Sequence, residues 1–163
     1  MFVFPAAFVF AELLIFKSNS ETMFLIGKWF VFWAVGVRLF LAGLRQSLTP
    51  RFTAEQIFGI DDKKSLIVVR ELGFANLAMG VLGLGVILRN SWIMPAAVAG
   101  GLFYGFAGFV HLTKKDNNRL EQLAMISDLW IFAILLVYFV ASVSHICTEC
   151  LTVEISRLTS FWT

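Results

Sequence analysis

The chain has 163 residues, 59% of them hydrophobic and 15% charged, with a formal charge of +2. A soluble domain is nearer half apolar and a quarter charged, so the balance points to a membrane protein with no room for a separate soluble module. The small net charge, without any Arg/Lys block, excludes a nucleic-acid binder.

The excess apolar residues gather into runs of roughly bilayer length, which predicts an all-α polytopic transmembrane bundle over residues 1–144 and a tail over 145–163. Eighteen Phe and five Trp suit its lipid-facing and interfacial surfaces. The first run, residues 2–16, has no basic n-region, carries Glu12 late and ends without a small-x-small cleavage site. It reads as a retained helix, not a secretory signal, and no lipidation or organelle signal is evident at either end. At 1.5 Å per residue it reaches roughly 22 Å, short of a core of about 30 Å, so it thins the bilayer or ends on a snorkelling Lys17. Pro5 near its start is harmless, because no backbone donor is needed there.

The second span is predicted over 24–44. In the connection 45–65, Thr53 followed by Gln56 has the capping-box pattern and Gly59 stops the turn, predicting a short surface helix over 54–58. Asp61 and Asp62 precede the third span, 66–88, where its dipole favours them. Arg89, Asn90 and Ser91 turn into the fourth, 92–112, and Asn118 with Glu121 caps the fifth, 123–143. The count is five spans, or four if the first does not cross. No internal repeat is present.

Loop charges set the orientation. Arg45, Arg51, Lys63, Lys64, Lys114, Lys115 and Arg119 fall on one side, against Lys17, Arg89 and Arg157 on the other. The positive-inside rule puts the larger group in the cytoplasm of a multi-pass cell-membrane protein, with the C-terminus outside.

Charges inside the spans are the informative residues. Arg38, Arg70, Glu71 and Asp128 interrupt apolar runs and His111 closes another. Each bare charge at mid-bilayer costs about 2.5–3.5 kcal/mol, so such groups face one another or a polar cavity. All five fall in the predicted inner half, from four different helices, and with His111 neutral their charges balance. In the other half, Glu12 and Lys28 either pair across the first two spans or leave Lys28 to snorkel. Gly73, Asn76, Gly80 and Gly83 form a small-residue stripe on the third span, and Gly101 and Gly105 form GxxxG on the fourth. Such stripes admit close helix approach, and Asn76 can serve as interhelical glue.

The candidate binding set is therefore Arg38, Arg70, Glu71, Asn76, His111 and Asp128. One reading makes the charged cluster a clamp that sets helix register. The other makes it a binding or proton-handling site, with Asp128 or Glu71 titrating, Arg38 or Arg70 holding an anionic group, and His111 relaying protons. A metal site is disfavoured, because the two histidines fall on opposite predicted sides. Cys147 and Cys150 form CxxC beyond the fifth span with His145 nearby, which suits either incidental thiols, a thiol-redox role or, less well, zinc. Leu151, Ile155, Leu158 and Trp162 would give a tail helix an apolar stripe for the membrane surface, although the same stretch also alternates like a strand.

The string Arg70-Glu71-Leu72-Gly73-Phe74-Ala75-Asn76-Leu77, with Gly80 and Gly83, resembles the hallmark of a family of small prokaryotic integral membrane proteins of unknown function. Tyr104-Gly105-Phe106-Ala107-Gly108 leading to His111, and Ser127-Asp128, are similar to its other recurring elements, and the likeness covers about residues 20–143. It implies a bundle of four or five spans in a bacterial-type membrane and supplies no reaction. Glu71, Asn76, His111 and Asp128 fall on its polar positions, whereas the CxxC tail lies outside the pattern.

The functional expectation is a protein that binds or translocates a small molecule or ion. Its alternatives are an accessory or scaffold subunit and a membrane enzyme, thiol-redox or lipid-modifying. No catalytic residue, metal or cofactor is nominated. Membrane lipid, a small-molecule or ion ligand, and a second copy or another membrane protein are the partners this reading admits.

Overall fold

The computed structural model describes residues 3–16, 22–114 and 119–159, which are almost wholly helical with no strand among them. Lys17, Lys115, Asn118 and Trp162, each given a part by the sequence reading, lie outside the described residues. The helices are α1 (Val3–Phe16), α2 (Thr22–Leu48), α3 (Pro50–Phe52, widening into Thr53–Ile57), α4 (Ser65–Ile87), α5 (Asn90–Thr113) and α6 (Arg119–Thr159). Four of these, α2, α4, α5 and α6, are long and apolar enough to cross a membrane. The 14 residues of α1 reach only about 21 Å, and the helix lies antiparallel beside the first half of α2. Its Phe4 stacks on Trp33 and its Phe8 on Trp29, with ring centroids 5.0 and 4.6 Å apart.

Backbone approach through small residues brings the long helices together. Gly36 of α2 lies directly on Gly83 of α4, Phe40 on Gly80, Gly43 on Gly73 and Leu77, and Ser47 on Gly73. Ascending numbers on α2 thus meet descending numbers on α4, which makes the pair antiparallel. At Gly36 and Gly83 any Cβ would enter the partner's backbone, so only glycine admits this crossing. The stripe read from the sequence on α4 is therefore the α2 contact. Likewise Gly101, Gly105 and Gly108 of α5 receive Leu135, Phe132 and Leu129 of α6.

The bundle has two unlike halves. Around the α4–α5 turn, where Gly85 lies under the Trp92 ring, the interior is apolar: Val31, Val35, Val86, Ile93, Ala96 and Leu135 are fully or almost fully buried. Toward α3 the interior becomes polar.

Two expectations about the connections change. The short helix begins at Pro50, not at residue 54, because proline suits the first helical position. Thr53 has helical backbone angles and is buried inside this helix, so it is not the cap; Thr49 is, and turns its hydroxyl back to the Arg45 carbonyl. Gly59 does end it, in a left-handed conformation with φ 67°, and the Ile60 N–H closes on the Ala54 carbonyl. At the other end of the chain, α6 runs for 41 residues, about 60 Å, and crosses the expected boundary at 144/145 unbroken. Neither Gly nor Pro occurs between Arg119 and Thr159 to stop it. The described side chains from Val143 to Ile155 are all exposed, so this stretch extends beyond the bundle.

Candidate functional site

The polar half begins with a defect in α2. Over Val31–Val37 the helix widens to a π-turn, and the Arg38 N–H reaches back five residues to the Trp33 carbonyl. One residue inserted into an α-helix turns all later side chains about 100° around the axis. Within the widened stretch, the Ala34 carbonyl accepts a hydrogen bond from the buried Tyr104 hydroxyl at 2.5 Å. The π-turn is thus tied to α5 at the point where the guanidinium of Arg38 lies over the Tyr104 ring, 5.0 Å from its centroid.

Arg38 Nη2 donates to Asp128 Oδ1 at 2.5 Å and to Ser127 Oγ at 2.9 Å. This ion pair joins α2 to α6 across 90 residues of chain, with the Asp128 side chain 9% exposed. Asn76 of α4 donates through Nδ2 to Gln46 Oε1 of α2 at 2.7 Å. Its own Oδ1 is buried without a hydrogen-bond partner among the described residues. At the end of the bundle, Lys114 Nζ binds the buried carboxylate of Glu121 at 2.5 Å.

All of these groups except Ser127 line one cavity of about 590 Å³. Arg38, Asn76, His111 and Asp128 are on its wall together with Gln46, Tyr104, Lys114 and Glu121. Leu39, Leu72, Phe103, Ala107 and Val110 supply apolar wall, and Ile57, Phe58 and Ile60, from α3 and the loop after it, form one end. A volume of that size with a few convergent polar groups in an apolar lining is the usual form of a small-molecule site.

Four of the six residues proposed from the sequence therefore meet. Arg70 and Glu71 do not: both are exposed and neither lines the cavity. The buried face of α4 carries Val69, Gly73, Asn76, Gly80 and Gly83, and at 100° per residue Arg70 and Glu71 fall to the side and back of it.

Gln46, Tyr104, Lys114 and Glu121 were missed as site residues. Gln46 was counted as loop, yet Arg38, Ala42 and Gln46 recur every four residues and so share a face. Tyr104, Ala107 and His111 have the i, i+3, i+7 spacing that marks one face of α5. Glu121 was read as a cap; the structure buries it against Lys114 instead. The π-turn had no sequence signal.

A second polar contact lies in the other half. Lys28 Nζ binds both oxygens of Glu12, at 3.0 and 3.2 Å, and the Trp29 indole N–H donates to Glu12 Oε2 at 2.5 Å. Of the two readings for Lys28, the pair across α1 and α2 is the one formed. Cys147 and Cys150 are free, exposed thiols on the projecting part of α6. Among the described residues no group of three or more His, Cys, Asp or Glu is placed to hold a metal ion.

No curated protein and no solved structure matches the chain. A family model does, over residues 1–145, which takes in the whole cavity and leaves out nearly all of the projecting end of α6. The chain therefore belongs to a family of unknown function, DUF6790.

Proposed function

We propose that this chain is a multi-pass protein of a bacterial-type cell membrane whose cavity binds, and in a transport cycle passes, a small molecule. In this reading α2, α4, α5 and α6 cross the bilayer and α1 is a half-length helix packed on α2. By the positive-inside rule, the end carrying Arg45, Arg51, Lys63, Lys64 and Lys114 faces the cytoplasm, with the C-terminal end of α6 outside. One observation carries the proposal: Arg38, Asn76, His111 and Asp128, from four helices, share one cavity wall. Intramembrane ionisable groups that line a cavity mark substrate or ion paths by default. Native mass spectrometry of the purified full chain should show a retained small molecule, lost when Val110→Trp obstructs the cavity rim. A bare protein mass in mild detergent, from preparations of both the native chain and Val110→Trp, would count against binding.

A second reading is favoured by the closed geometry of the ion pair. Arg38 Nη2 bonds both Ser127 and Asp128, as a clamp in a scaffold subunit would require. Under that reading the double variant Arg38→Met/Asp128→Leu folds and keeps its role, and a protein partner or second copy co-purifies with it. Under the binding reading the double variant folds but loses its small molecule.

A further inference from the structure

We infer that the cavity takes a neutral, single-chain amphiphile: a hydroxyl head hydrogen-bonded at Asp128 and Asn76, with its hydrocarbon tail leaving sideways between α4 and α5. This inference rests on the cavity being a binding site and names the chemistry of its ligand.

Charge balance comes first. The wall holds two cations, Arg38 and Lys114, and two anions, Asp128 and Glu121. Each cation is already paired with an anion of the same wall. The Asp, Glu, Lys and Arg side chains of the lining therefore sum to zero. An ionic head would then bring an uncompensated charge into a low-dielectric space, at a penalty of several kcal/mol. A neutral head incurs none.

Hydrogen-bonding capacity of both kinds is left over. Arg38 uses only Nη2, for Asp128 and Ser127, so its Nε and Nη1 donors remain, while Tyr104 donates its hydroxyl to the Ala34 carbonyl. Acceptors remain as well. A carboxylate has about four acceptor directions, and Asn76 Oδ1 is buried at this wall without a partner among the described residues. Asn76 and Gln46 can also turn their amides together, which keeps their mutual bond and exchanges the end that is left over. A hydroxyl has one proton, so it meets both residues in the turned setting, donating to Asp128 and accepting from Asn76 Nδ2.

The route for the tail follows from α4 and α5. The two helices are tight at their connecting turn, where Gly85 meets Trp92, but farther on the cavity separates Leu72 and Asn76 from Phe103 and Val110. Phe106 and Val110 line the cavity and are also 69% and 62% exposed, so its rim is apolar and open on the outer surface of the bundle. A slot of this kind, facing acyl chains, admits a hydrocarbon tail directly from the bilayer.

The test uses the full chain in mild detergent with three probes of one chain length: oleyl alcohol, oleylamine and oleate. Bound fractions are read by native mass spectrometry, with Val110→Trp as the blocked-rim control. The alcohol should bind at least tenfold more tightly than the amine or the carboxylate. Asn76→Leu should weaken the alcohol about tenfold, the effect of one lost hydrogen bond, and leave oleate unchanged. If Asn76→Leu fails to fold, the order of the three heads on the native chain still decides. Equal or tighter binding of oleate or oleylamine, abolished by Val110→Trp, overturns this inference while the cavity stands as a site. Equal binding of all three to the native chain and to Val110→Trp overturns both.

Discussion

Two residues separate what a buried charge does from what an exposed one does. Arg38 and Asp128 meet in the interior of the bundle, and removing either partner leaves the other without its counter-ion. Arg38→Met alone or Asp128→Leu alone should destabilise the protein by about 3 kcal/mol, read as unfolding in mixed micelles. Arg70 and Glu71 stand on the outside of α4, so Arg70→Ala and Glu71→Ala should each stay within about 0.5 kcal/mol of the parent. The two predictions have opposite outcomes for charges that the sequence presents alike. Both kinds interrupt an apolar run, and the face of the helix that each occupies tells them apart. Glu12 is intermediate. It takes Lys28 and Trp29 at a partly buried site, and Glu12→Gln should cost about 1 kcal/mol.

At the scale of the helices, existence was legible and phase was not. The four long apolar runs appear as α2, α4, α5 and α6, and the small-residue stripe on α4 falls on its contact with α2. Hydropathy and glycine spacing carry that information because an apolar helix surface and close backbone approach are set by local residue types. The π-turn of α2 depends on a tertiary bond, Tyr104 to the Ala34 carbonyl, and no local pattern encodes it. The start of α3 was misplaced by a capping pattern that the buried Thr53 does not use. Gly83→Leu should separate α2 from α4, since its first side-chain carbon would enter the Gly36 backbone. The expected result is loss of monodisperse protein on size-exclusion chromatography. The same change at Gly101, whose added Cβ would meet only a Leu135 side-chain atom at ordinary van der Waals distance, should be milder.

Over the whole molecule, the division into an apolar half and a polar half follows from where each helix carries its few polar residues. Four of the six candidate residues line one cavity because an ionisable or amide group in an apolar run must turn inward or reach an end. Gln46 and Glu121 were missed because they sit at helix ends, where polarity is ordinary and signals nothing. The projecting end of α6, almost entirely outside the family match, has no described contact with the cavity. Cys147→Ser with Cys150→Ser should leave both stability and ligand retention unchanged. A loss of either would assign the thiols a role that their exposed position does not suggest.

The account depends on charged groups from separate helices meeting inside the bundle, and a double-mutant cycle on Arg38 and Asp128 tests that most directly. Unfolding free energies of the parent, Arg38→Met, Asp128→Leu and the double variant should give a coupling of about 2 kcal/mol or more, with the double variant more stable than the sum of the single losses implies. Additive losses, or two single variants as stable as the parent, would contradict it.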